Sequence, residues 1–391
     1  MAAKPDAILG FVGDLLIDRD HPAEAFSDVA ALLHAPDAMF GNLEAAFTDN
    51  PRAAPSLGVA LFPGARNLDA FEGSGFDVLA LANNHICDAG HEALLSTRAR
   101  VRELGIATCG AGANLDDARK AALVHAGGVK VAYLAYASVF PMGYEARENM
   151  PGLAPLRGYD LWLPGIENYH SPGTPPRSQN VLDQNDLAHL EEDLESARGQ
   201  ADIVVASIHW GDYLKPYHLT AHERQAARWC LDHGADMVVG HHHHAVRGIE
   251  WYAGKPIFYG LGHFVFDFRW PATEESTAAL HRLVASEGES AAEYQIGPRD
   301  GWPLLALHPD TRMTMFAWAR VSAGHISDVG FVPCRLTPDG LVHPFDPSSP
   351  EGAEVVRYVE RCNSTQGLNG RLEPSGGLEL AGCHTVRVVP V

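Results

Sequence analysis

Basic residues are scarce in this chain. Lysine and arginine number 29 against 49 aspartates and glutamates, a net charge of −20 with histidine neutral. That balance excludes a nucleic-acid partner, which needs basic surface against phosphate. It leaves room for an acidic substrate, because a bound cation reverses the local field. Cysteine is sparse as well. Cys87, Cys109, Cys230, Cys334, Cys362 and Cys383 lie far apart with no Cys-x-x-Cys pair, which excludes a zinc knuckle or a disulfide framework and fits reduced, structural thiols. No apolar run is long enough to span a bilayer. The opening stretch, interrupted by Asp14, is too short for a secretory signal. The expectation is a cytoplasmic protein without a membrane partner.

What is present is material for a sizeable core: 391 residues, 46% of them hydrophobic. Short apolar runs at Ala7–Val12, Ala38–Phe40, Phe76–Leu81, Val129–Ala137, Ile203–Ser207, Met237–Val239 and Pro256–Tyr259 read as strands. Helix-like segments lie between them at Pro22–Leu33, His91–Leu104, Gln184–Ala197 and His222–His233, with Gly105 and Gly234 where helices would end. This alternation predicts an α/β fold. From Met313 the pattern turns antiparallel (Met315–Val321, His325–Pro333), and Gly352–Cys362 reads as a helix. Residues 139–183, rich in Pro and Gly and carrying Tyr144, Tyr159, Trp162 and Tyr169, read as a lid-like loop that contacts a ligand. Residues 268–304 read as a second insertion. With no repeat and no linker, the expectation is a single domain over 1–391.

One segment stands apart. Gly240-His241-His242-His243-His244 directly follows the apolar run Ala235–Val239. Imidazole is the commonest neutral metal ligand, and alternate residues leaving a strand can converge on one ion. The other polar candidates also follow strands: Asp14; Asn42 and Glu44; Asn83, Asn84, His85 and Asp88; His209 and Asp212. In open α/β sheets, sites form beyond the carboxyl ends of strands. His85-x-x-Asp88 and His209-x-x-Asp212 share a spacing at which a carboxylate can orient its own histidine. The alternative for either aspartate is a local turn. One such pair suffices to protonate a leaving group. Two pairs suit removing a proton from one face of a carbon and returning it on the other.

In order, Gly13-Asp14, Gly41-Asn42-Leu43-Glu44, Ala82–Gly90, His209-Trp210-Gly211, Gly234–His244 and Lys255–Phe264 resemble the CapA (poly-γ-glutamate synthesis) family. The likeness covers roughly residues 7–268 and continues more weakly to about residue 370. It implies a calcineurin-like metallophosphoesterase fold, two packed β-sheets flanked by helices, with metal at the strand ends. By position it implies Asp14, Glu44, Asn84, His209, His242 and His244 as ligands. Three oxygen and three nitrogen donors suit one six-coordinate divalent ion, Ca²⁺, Mn²⁺ or Mg²⁺ rather than Zn²⁺. His241 and His243 are expected to point away from it.

The departures from the family pattern argue for a single ion. Leu15-Leu16 follow Asp14 where metallophosphoesterases have Asp-x-His, and Asn42-Leu43-Glu44 replaces the usual bridging aspartate motif. His263 stands where many members have asparagine, either as a third imidazole or as a packing variant, and His243 stands where they have proline. A soluble branch of the family epimerises the C-terminal residue of lasso precursor peptides. This chain is similar to it in the two His/Asp pairs and the single-metal ligand set. The resemblance implies a metal-dependent epimerase of a peptide substrate, with His85/Asp88 and His209/Asp212 as acid/base pairs. The alternatives are a metallohydrolase of a phosphoester or γ-glutamyl amide, and a non-catalytic polymer-binding protein.

Overall fold

The apolar runs pair into two large sheets in the computed structural model, which describes residues 6–54, 59–165, 171, 173–270, 278, 297, 299–305 and 307–391. The first sheet runs Gly370–Glu373, Val386–Pro390, His325–Leu336, Met313–Ser322, Ala7–Leu16, Ala38–Leu43, Val78–Ala80, Ala107–Cys109. His263–Phe266 pairs with Ala7–Leu16 off that path, and Val342–Pro344 with His325–Leu336. The second sheet runs Ile249–Tyr252, Lys255–Phe258, Met237–His241, Ile203–His209, Val129–Ala137, Ala122–Ala126. Helices flank the pair, so the fold is the expected α/β arrangement of two packed sheets.

Alternation along Val129–Ala137 shows how the layers join. Val131, Tyr133 and Ala135 face the first sheet, where the Tyr133 ring stacks on Phe40 at 5.3 Å. Ala132, Leu134 and Tyr136 face outward and pack with Leu187, Leu190 and Leu194 of the helix Gln184–Arg198 and with Ala226, Ala227 and Cys230 of the helix Ala221–Asp232. Strands buried on both faces read as continuous apolar runs, which is why the sequence marks them so clearly. Each large side chain removed from water contributes about 1.5–3 kcal/mol.

The helices begin where their caps dictate. Asp183 accepts the N–H groups of Asn185 and Asp186, Thr220 and Glu223 form a capping box, and Ser349 caps Pro350–Gln366. Pro22–Leu33 does not form one helix. It divides into 3₁₀ turns at Pro22–Glu24 and Ser27–Val29 and a single α turn at Ala30–Leu33. Phe26 lies between Phe71 and Phe76, with ring centroids 5.6 and 5.4 Å away, a tertiary contact that overrides a weak local preference. Gly158–Leu163 and Arg177–Leu182 form an antiparallel hairpin, and Tyr144 is buried. Tyr169 and most of 268–304 lie outside the described residues. The chain beyond 304 returns to the first sheet, where Met313–Ser322 pairs antiparallel with Ala7–Leu16. All six cysteines are unpaired, and no described helix is long and apolar enough to cross a membrane.

Candidate metal centre

Ala7–Leu16, Ala38–Leu43 and Val78–Ala80 run parallel in one sheet, and Val129–Ala137, Ile203–His209, Met237–His241 and Lys255–Phe258 in the other. Their carboxyl ends bring the polar residues to one edge. Pairing of Ala7–Leu16 slips in register at Asp14 against both its parallel neighbours, irregularities that re-aim the side chain. Gly13 permits the approach. A Cβ there would lie 1.8 Å from the Gly262 carbonyl oxygen, and the Asp14 N–H donates to that same oxygen at 3.0 Å.

Two triads of buried donors result, each with its ligand atoms within 4.8 Å of one another: Asp14, His244 and His263, and Glu44, His209 and His242. Asp14 also binds the surrounding frame. Its Oδ1 accepts Asn42 Nδ2 at 2.9 Å, its Oδ2 accepts the His242 N–H at 3.4 Å, and Asn83 Nδ2 secures Asn42 Oδ1 at 3.3 Å. His209 Nε2 lies 2.7 Å from Asn84 Oδ1 and 3.2 Å from His242 Nδ1. His263 Nε2 lies 2.5 Å from His244 Nδ1.

This geometry bears on four sequence expectations. First, the carboxylate and imidazole donors group as two triads, and His263, which the sequence left open, joins one of them. His263 comes beside Asp14 because the two are register partners on adjacent parallel strands. Asn84 stands beside the second triad, against His209. Second, the strand ends at His241, so pleat alternation is not what aims His242 and His244. Both have left-handed backbone, φ 92° and 59°, at a cost of about 1–3 kcal/mol each that the surroundings must offset. Third, only His243 turns away. His241 Nδ1 lies 3.3 Å from Asp14 Oδ1, at ion-pair distance but without hydrogen-bond geometry.

Fourth, the two His/Asp pairs differ. His85 Nδ1 meets Asp88 Oδ2 at 2.6 Å. Asp88 also accepts the Tyr144 hydroxyl at 2.9 Å and the Leu61 N–H at 2.8 Å. Tyr144 is therefore a member of this network, hidden from the sequence by its place 56 residues downstream. Asp212 does not pair with His209. The chain reverses at Gly211 (φ 90°), and Asp212 accepts the Leu214 N–H at 2.8 Å and meets Lys215 Nζ at 3.0 Å. Burial would raise the Asp212 carboxyl, but Lys215 and the Leu214 amide draw it below the usual range.

The donor set fits divalent cations. Both Glu44 oxygens are buried without a hydrogen-bond partner, an arrangement that is costly unless a cation completes it. Burial lowers all four imidazoles, His242 and His263 to about 3, so each is neutral, the form that binds metal. Burial would raise Asp14, yet His241, His209 and His244 hold it well below the usual range. Glu44 is pushed well above its ordinary value by burial and by the neighbouring Asp14 charge. Between that ordinary value and the raised one, metal-free Glu44 carries a proton that a cation must displace, whereas the imidazoles have none to lose. In that interval Mn²⁺ binding is expected to release a proton and to strengthen as pH rises, by about tenfold per pH unit for one proton released. Calorimetry in buffers of different ionisation enthalpy measures this, and Glu44→Gln should abolish the release.

An α/β two-sheet protein with buried carboxylate–imidazole triads at its strand ends defines the class. Residues 8–268 match the model of the family described as bacterial capsule synthesis protein PGA_cap, and the chain belongs to that family. It is similar to PGA biosynthesis protein CapA of Bacillus subtilis (strain 168), 29% identical over 301 residues, 74% of this chain and 70% of that one. Capsule biosynthesis protein CapA of Bacillus anthracis is 31% identical over 216 residues, 55% and 46% of the two chains. A probable polyglutamine synthesis accessory protein of Mycobacterium tuberculosis (strain H37Rv) is 33% identical over 254 residues, 64% and 61%. Among solved structures, a calcineurin-like phosphoesterase from Bacillus subtilis superposes with a TM-score of 0.38 and 11% identity, covering 92% of this chain and 98% of that one.

Proposed function

We propose that the chain is a metal-dependent hydrolase of a phosphoester or a γ-glutamyl amide. The observation that carries this reading is one His–Asp dyad beside two buried triads. Asp14, His244 and His263 would hold one divalent ion, and Glu44, His209 and His242, with Asn84 alongside, a second. Each triad joins two imidazoles to one carboxylate, which favours Mn²⁺, Fe²⁺ or Zn²⁺ over the oxygen-seeking Ca²⁺ and Mg²⁺. Such ions supply Lewis acidity, polarising a phosphoryl or carbonyl oxygen and making water a better nucleophile at neutral pH.

The chain's own residues do the rest. Asp88 accepts the Nδ1–H of His85 and fixes the ring; in its doubly protonated form the ring would give the Nε2 proton to the departing oxygen or nitrogen and be left as the neutral Nδ1–H imidazole. Tyr144 and the Leu61 amide hold Asp88 in turn. His85 shares the wall of a small cavity with His244, Leu61 and Phe266, which puts the acid beside the first triad. The relatives' names, which concern PGA and capsule biosynthesis, support the γ-glutamyl amide.

Epimerisation at Cα of a lasso precursor peptide is the second reading. It needs acid/base groups on opposite faces of the carbon, and His209 is not paired with Asp212 but lies within the second triad, with Nε2 3.8 Å from Glu44 Oε1. One assay separates the two. The Mn²⁺-loaded protein is incubated in D₂O with a phosphodiester, a γ-glutamyl anilide and candidate precursor peptides, followed by mass spectrometry and chiral amino-acid analysis. The hydrolase reading expects metal-dependent cleavage. A deuteron gained at Cα without cleavage would overturn it in favour of the epimerase.

A further inference from the structure

His242 and His244 belong to different triads, and both have strained backbone. The residue between them is held from behind. The His243 ring is buried and turned away from the triads, with Nε2 2.9 Å from Glu223 Oε1. It fills a slot shaped by two glycines: a Cβ at Gly211 would lie 2.1 Å from Nε2, and one at Gly260 2.8 Å from Nδ1. Glu223 is itself immobilised. It is the third residue of the helix Ala221–Asp232, its Oε2 accepts the Thr220 N–H at 2.6 Å, and its own N–H donates to Thr220 Oγ1 at 3.3 Å. A capping box needs only one carboxylate oxygen. The other is left for His243.

We propose that the Glu223–His243 pair is a positioning device for the metal centre. It anchors the turn 241–244 to the amino end of a helix, so that His242 and His244 stand in ligand geometry before any ion arrives. Neither residue belongs to a triad. Because one anchor lies between ligands of both triads, it sets both sites at once. Losing it weakens both binding steps together. The proposal rests on the reading of the triads as metal sites.

The test titrates the metal-free full chain with Mn²⁺ by calorimetry, alongside thermal melting of the same metal-free samples. Wild type is expected to bind two ions. His243→Ala and Glu223→Ala should each weaken both sites by roughly 10- to 100-fold, the range for groups that orient metal ligands. The double variant should be no worse than either single one, since the pair acts as a unit. Glu223→Gln, whose amide can donate to the other His243 tautomer while its oxygen still accepts from Thr220, should recover most of the affinity.

Alanine variants that bind both ions as tightly as wild type overturn the anchor, even if they melt earlier, because the pair is then merely structural. Should His243→Ala fail to fold, Glu223→Ala and Glu223→Gln carry the same comparison. A wild-type chain that binds no Mn²⁺ overturns the metal reading and the anchor with it. Normal wild-type binding with unchanged variants overturns the anchor alone.

Discussion

Asp14→Ala is expected to leave the first triad unable to hold an ion and to lower turnover about a thousandfold or more. Charge stabilisation by a Lewis acid is worth several kcal/mol, and each 1.4 kcal/mol is about a factor of ten in rate. The effect should exceed that of any single imidazole, because Asp14 serves more than its own triad. Its Oδ1 is bound by Asn42 Nδ2 and approached by His241, and its Oδ2 accepts the N–H of His242, a donor of the second triad. Truncation therefore leaves buried donors unpaired on both sides. Elemental analysis of the purified variant, together with its turnover of whichever substrate the wild type cleaves, checks this. A variant that keeps the full metal complement would show that Asp14 is a frame residue and not a ligand.

His85→Ala should behave differently. His85 is in neither triad, so metal content is expected to stay at the wild-type level while turnover falls by about 10²–10⁴, the usual contribution of a positioned acid or base. Asp88→Asn should reproduce much of that loss. An amide in place of the carboxylate no longer orients the ring by accepting its Nδ1–H, nor balances the positive charge the ring carries while Nε2 holds the proton for the leaving group. Tyr144→Phe removes only one of the bonds that orient Asp88 and should cost about 1 kcal/mol. Steady-state kinetics with metal analysis on the same samples decides the matter. If His85→Ala loses metal as well as activity, the residue belongs to the centre and the assigned proton transfer is wrong.

The sequence by itself determined the layering. Val131, Tyr133 and Ala135 alternate with Ala132, Leu134 and Tyr136 because each face of that strand must be covered, and apolar periodicity records such burial directly. It also determined the His85–Asp88 dyad, since three residues of turn bring the two side chains together without help from elsewhere. The same spacing misled at His209-x-x-Asp212, because the chain reverses at Gly211 and Lys215 offers Asp212 a nearer charge. Only the tertiary structure decided how the donors group. His263 meets Asp14 across a strand pairing 249 residues away, Tyr144 reaches Asp88 from a distant loop, and the left-handed backbone at His242 and His244 sends two neighbouring histidines to different triads. Each of these depends on register and backbone handedness, which cooperative packing of both sheets sets and which no local pattern of residues encodes.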